Sequence, residues 1–142
     1  MLSALLLSFC LTCDPFYGLG QESVDVELVL AVGASSSIDG EEFVLQREGY
    51  VVALTSREFL TALRAGAHGK VAVTYFEWAG LHDQTILMPW RLVESPETAD
   101  AVARELARAP YRRGPRTSIH GALQFAKPLF DAVAAQVKKA VA

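Results

Sequence analysis

The sequence predicts a layered α/β domain built on a central, mostly parallel sheet with an antiparallel edge strand. Three observations predict it. Val24–Val32 (VDVELVLAV) alternates and then runs unbroken as apolar residues, the pattern of a strand entering a parallel sheet. Helical periodicity separates it from the next β-branched and aromatic run, Lys70–Trp78 (KVAVTYFEW). Only a short polar segment then precedes Thr85–Val93 (TILMPWRLV), so these two runs form an antiparallel hairpin.

The elements follow in order. After the first strand comes a polar loop, Gly33–Gly40, rich in serine. A helix over Glu41–Leu54 places Phe43, Tyr50 and Leu54 on one face, widened by Val44 and Val51. Thr55-Ser56 breaks it, and a short helix over Arg57–Ala65 presents Phe59, Leu60 and Leu63. Gly66 and Gly69 close that region. Pro89 has no amide proton for a ladder, which puts the third strand at a sheet edge. Ser95-Pro96-Glu97 is a helix start: a capping hydroxyl, proline at the first position and an acid in the first turn. Ala99, Val102, Ala103 and Leu106 supply that helix's buried stripe. A basic loop, Ala109–Arg116, leads to a final helix from about Thr117. Its inner side is read as Ile119, Ala122, Leu123 and Ala126, with a kink at Pro128 and a continuation through Phe130, Val133 and Val137.

Composition narrows the class. The chain has 142 residues, of which 51% are hydrophobic and 20% charged, which excludes disordered, collagenous and coiled-coil classes. Thirteen basic residues against 16 acidic ones give a net charge of −3 and no footprint for nucleic acid. Two cysteines cannot build a disulfide framework.

The opening MLSALLLSFCLTC is apolar, uncharged and too short to span a bilayer, which takes about 20 apolar residues. It reads as a secretory signal peptide over residues 1–20, with cleavage before Gln21, although its n-region lacks Lys and Arg. Cleavage removes both Cys10 and Cys13 and leaves 122 residues, exported to a bacterial periplasm or the extracellular space, with no membrane span.

Parallel strands place ligands beyond their carboxyl ends. Three loops fall there: Gly33–Gly40, Ala79–Gln84 and the segment leading into Thr117. Val32-Gly33-Ala34-Ser35-Ser36-Ser37 resembles the Asp-x-Ser-x-Ser loop of von Willebrand factor A domains. Gly114-Pro115-Arg116-Thr117-Ser118-Ile119-His120-Gly121-Ala122-Leu123 resembles the segment in which those domains supply a third hydroxyl. The resemblance runs from about Val24 to Phe130 and extends to an uncharacterised exported bacterial group of that fold. It implies a Rossmann-like, three-layer von Willebrand factor A fold over residues 21–142. It also implies an incomplete one, because such a fold ordinarily takes well over about 150 residues.

In that family the loops build a metal-ion-dependent adhesion site, in which Mg²⁺ or another divalent cation leaves one coordination position for a carboxylate of a partner protein. The resemblance assigns Ser35, Ser37 and Thr117 to it. Gly33 stands where the Asp belongs, and the second acid belongs to a strand beyond the end of this sequence. Mg²⁺ is reluctant to shed water for neutral hydroxyls alone, so metal binding is expected to be weak or lost. Asp39, Glu77 and Asp83 are the rim acids within reach of compensating, though loop acids are ordinarily solvated, and Ser37 or Asp39 also suits the cap of the following helix.

The expected function is therefore a non-enzymatic, adhesion-type interaction domain with a degenerate metal site, engaging a protein partner through an acidic side chain. Arg108, Arg112, Arg113 and Arg116 form a solvated cluster that draws such a partner to the rim. The alternative is an inactive, truncated remnant of a larger domain. A hydrolase assembled from Ser35, His120 and Asp83 lacks the Gly-x-Ser-x-Gly elbow, and the first loop lacks dinucleotide-binding glycine spacing.

Overall fold

The computed structural model describes residues 23–141, with side chains through residue 131. The predicted leader, with Cys10 and Cys13, lies outside the described residues, as do the side chains of Val133 and Val137.

Seven elements form in the predicted order: β1 (Val26–Gly33), α1 (Gly40–Leu54), α2 (Arg57–Ala65), β2 (Val71–Trp78), β3 (Gln84–Val93), α3 (Pro96–Arg108) and α4 (Ile119–Val141). The sheet order is β1-β2-β3. β1 runs parallel to β2, from Val26 opposite Val71 to Gly33 opposite Trp78. β2 runs antiparallel to β3, with register irregularities around Tyr75. Thr74 Oγ1 donates to the Met88 carbonyl (2.8 Å) in this irregular stretch, and the adjacent Pro89 is exposed on an edge strand. A proline there costs the ladder no donor.

The starts of α1, α2 and α3 are each set by a local side chain. Asp39 accepts from the Glu42 amide (2.9 Å) and Glu42 reaches back to the Asp39 amide, a capping box for α1. Ser56 caps α2 through the Phe59 amide, and Ser95 caps α3 through the Thr98 amide. Among the described residues no helix is long and apolar enough to cross a membrane.

Three layers result. On one face of the sheet, Val32, Val73, Tyr75, Met88 and Val93 pack with Leu54 of α1, Leu63 of α2, and Val102 and Leu106 of α3. On the other face, α4 covers Ala72, Trp90 and Leu92 through Leu129. The Trp90 indole donates to the Leu129 carbonyl (3.0 Å), and Phe76 packs on Phe125 at 5.0 Å between ring centroids.

Two expectations are corrected. β1 is not buried on both faces: Val32 is buried, Leu28, Val29 and Leu30 are half-buried, and Ala31 is exposed. Among the described residues the strand pairs on one side only. The inner side of α4 is also rotated from the sequence reading. Ile119 and Leu123 are exposed (65% and 66%), while Gly121 and Ala122 are buried, followed by half-buried Phe125, Ala126 and Leu129. The cause is a close approach: a Cβ on Gly121 would lie 2.6 Å from the Leu81 carbonyl oxygen, so the glycine faces inward. α4 continues past Pro128 as one element.

Candidate interaction site at the rim of the sheet

β1 and β2 both end at the same rim, and backbone hydrogen bonds join the three predicted loops there. The Ala34 amide donates to the Trp78 carbonyl (2.7 Å), which ties the serine loop to the end of β2. Gly114 N–H donates to Ala34 O and Ser36 N–H donates to Gly114 O, both at 2.9 Å, so Ser35 and Gly114 pair as an isolated parallel bridge. Ser118 N–H donates to Ala79 O at 2.7 Å, which fixes the same segment to the β2–β3 turn. A chain held at Gly114 and Ser118 has little freedom between them. Arg116 lies there in the left-handed region (φ 70°), a conformation that costs a non-glycine residue of order 1 kcal/mol and persists only when neighbours impose it.

The serines assigned by the resemblance are neighbours. Ser35 is buried, Ser37 is exposed, and their hydroxyls share a hydrogen bond of 3.0 Å. The Ser37 amide also leans on Ser35 Oγ at 3.4 Å. Thr117 is exposed on the adjoining segment, and among the described residues no hydrogen bond joins it to either serine. His120 is exposed on the first turn of α4, and the Ser35 hydroxyl is engaged by Ser37 rather than by an imidazole.

The three rim acids have separate fates. Asp39 is the cap of α1. Asp83 is half-buried in the β2–β3 turn, its carboxylate packed against the Cα of Gly114. Glu77 departs furthest from the expected solvated acid: its side chain is only 3% exposed and meets Arg47 Nη2 at 2.5 Å. Glu77 lies opposite Val32 in the sheet, and its Oε1 accepts from the Tyr75 hydroxyl at 3.3 Å and from Arg47 of α1. Burial pushes its carboxyl above the usual carboxylate range, and the Arg47 guanidinium opposes that push. Burial, reinforced by the Glu77 charge, raises the Tyr75 phenol as well. Among the described residues no group of three or more His, Cys, Asp or Glu side chains is placed to hold a metal ion.

Arg47 is the residue that the sequence reading missed. Nη1 donates to the Ala109 carbonyl (2.5 Å) and Nη2 to the Pro110 carbonyl (3.1 Å), while the guanidinium carbon lies 4.1 Å from the Tyr111 ring centroid. Phe43 meets the same tyrosine edge-on at 5.8 Å. One buried cation thus links α1, β2 and the start of the segment that carries Gly114 and Thr117. A signal existed: Arg47 follows Phe43 by four residues and precedes Tyr50 by three, at the centre of the apolar stripe.

A small cleft opens at the rim between these loops, lined by Ala34, Glu77, Asp83, Thr85, Arg112 and Arg113. Its volume of about 10 Å³ is room for about one water. Glu77 Oε2 is buried there without a hydrogen-bond partner among the described residues. Arg112 Nη1 is hydrogen-bonded to Thr85 Oγ1, and Arg113 Nη1 donates to the Ile38 carbonyl at 2.9 Å.

Among solved structures, the chain is similar to the vWF domain of the type V pili tip protein Mfa5 from Porphyromonas gingivalis, at 16% identity and a TM-score of 0.44. That match covers 78% of this chain and 34% of the other. A structure of three N-terminal domains of the same Mfa5 protein matches at 17% identity and a TM-score of 0.42, over 77% of this chain and 18% of that one. The chain therefore spans about a third of the first structure and under a fifth of the second. No curated protein matches it. Residues 23–142 match the model of a family described as proteins of unknown function, DUF1194, and the chain belongs to that family.

Proposed function

We propose that the chain is a non-enzymatic, exported interaction domain that engages a protein partner at the sheet rim, with a degenerate metal site at Ser35, Ser37 and Thr117. The observation that carries this reading is the Ser35–Gly114 bridge, which brings the serine loop and the threonine segment side by side. Those are the two segments whose sequences resemble the adhesion site of von Willebrand factor A domains. The donor set does not fit Mg²⁺. Three neutral hydroxyls offer no charge compensation, and the nearby acids are drawn off to a helix cap, a buried arginine and a tight turn. Metal binding at the rim is accordingly weak or lost. A hydrolytic role lacks support, since Ser35 is hydrogen-bonded to Ser37 and not to a base.

Thermal melting with increasing Mg²⁺ or Mn²⁺ tests the metal part of this reading, because a ligand of the folded state alone must raise its stability. The melting temperature is expected to stay constant into the millimolar range. A rise with metal that Ser37→Ala removes would show a working site. Turnover of a chromogenic ester, abolished by Ser35→Ala or His120→Ala, would overturn the non-enzymatic reading.

A further inference from the structure

Resting on the rim reading above, we propose that Arg112 and Arg113 take the role that a cation plays in the resembled adhesion site and bind an acidic peptide segment of the partner directly, by charge-assisted hydrogen bonds. Both side chains are exposed, both line the rim cleft, and both immediately precede Gly114 of the bridge that positions the serine loop.

Their present partners are neutral. Arg112 uses one nitrogen on a threonine hydroxyl and Arg113 one on a backbone carbonyl. Among the described residues neither makes an ion pair, in contrast to Arg47 with Glu77 and Arg91 with Glu105. Each guanidinium is therefore oriented at one nitrogen while its other N–H groups remain available, and the Arg112 charge already helps to hold the Glu77 carboxyl down. That is the preorganised state from which arginine recognises carboxylates bidentately.

All three rim acids are engaged, Asp39 as the cap of α1. Glu77 is matched by buried Arg47, and Asp83 is packed against Gly114. With Arg116 on the same pinned loop, three arginines fall within five residues of chain at this rim. The cleft is too small for a side chain, so a carboxylate engages at its mouth. A flexible acidic segment, presenting several carboxylates in sequence, matches arginines spread along one loop better than a single small anion does.

The test uses the 142-residue chain and a fluorescein-labelled hexaglutamate peptide followed by anisotropy. Binding is expected to be equal in EDTA and in millimolar Mg²⁺, to weaken with salt, and to fall about tenfold or more in Arg112→Gln/Arg113→Gln. Arg112→Lys/Arg113→Lys should recover only part of the loss, and Ser37→Ala/Thr117→Val should bind as the parent does. Thermal melting of each variant confirms folding, which exposed substitutions leave intact. Binding that requires Mg²⁺ and is lost in Ser37→Ala/Thr117→Val would overturn the arginine proposal while leaving the rim as the interaction site. No binding of hexaglutamate, equal binding of hexalysine, or displacement by inorganic phosphate as effectively as by peptide would also overturn it. Those last outcomes overturn the arginine proposal alone, and a metal-dependent rise in melting temperature lost in Ser37→Ala would still mark the rim as a binding site.

Discussion

Arg47 and Glu77 meet at 2.5 Å beneath the rim, with 1% and 3% of their side chains exposed. The pair joins the middle of α1 to the end of β2, 30 residues away. Two further Arg47 hydrogen bonds hold Ala109 and Pro110, where the segment leading to Gly114 begins. Removing one member of a buried pair strands the other charge. Arg47→Ala is therefore expected to cost about 3–5 kcal/mol in urea unfolding. Arg47→Met/Glu77→Leu should cost clearly less than Arg47→Ala, since no charge is then left buried. A double variant as damaged as the single one would show that the carbonyl contacts, not the charge balance, dominate.

Gly33→Asp restores the carboxylate that the serine loop lacks. A Cβ at Gly33 would meet nothing closer than Trp78 Cζ2 at 3.7 Å, an ordinary contact, so the variant should fold. Its melting temperature is expected to rise with Mg²⁺ where that of the parent does not. An unchanged response would mean that one acid is insufficient at this donor set.

Two glycine substitutions inside helices should have opposite signs. Gly49 in α1 has open space around a would-be Cβ, so Gly49→Ala should stabilise by up to about 1 kcal/mol through helix propensity. Gly121 in α4 faces the Leu81 carbonyl, so Gly121→Ala should destabilise despite the same propensity gain. Denaturant midpoints compare the two directly. Stabilisation by both would refute the close packing of α4 on the β2–β3 turn.

Asp25 gives a pH dependence of defined sign. Its carboxylate accepts from the His68 amide (2.9 Å) and the Lys70 amide (3.1 Å), and these bonds lower its pKa below the ordinary 3.8. A carboxyl with a depressed folded pKa adds stability above the unfolded value and loses it as pH falls through the folded one. The melting temperature of Asp25→Asn should therefore lie below that of the parent at neutral pH. The gap should close as pH falls from about 3.8 downward. A gap independent of pH would assign the effect to shape alone.

Local chemistry in the sequence determined the seven elements. Ser56 and Ser95 cap their helices, Pro96 opens α3, and Pro89 sits on an edge strand. The serine loop, the turn after β2 and the segment before α4 were also legible as one rim, because strand direction follows from the order of strands and helices. The caps and prolines depend on residues a few positions apart, and the rim on the order of the strands. The tertiary structure decided the rest. It rotated the buried side of α4 because the Leu81 carbonyl leaves room there only for a glycine. It left β1 partly exposed, with Val32 alone of the strand fully buried. It turned Glu77 from a rim acid into the partner of Arg47 and tied Arg47 to Ala109, 62 residues distant. Periodicity shows that a position faces inward. The charge that meets it there comes from chain brought close only by folding, and at Arg47 that difference separates a solvated helix residue from the brace beneath the rim.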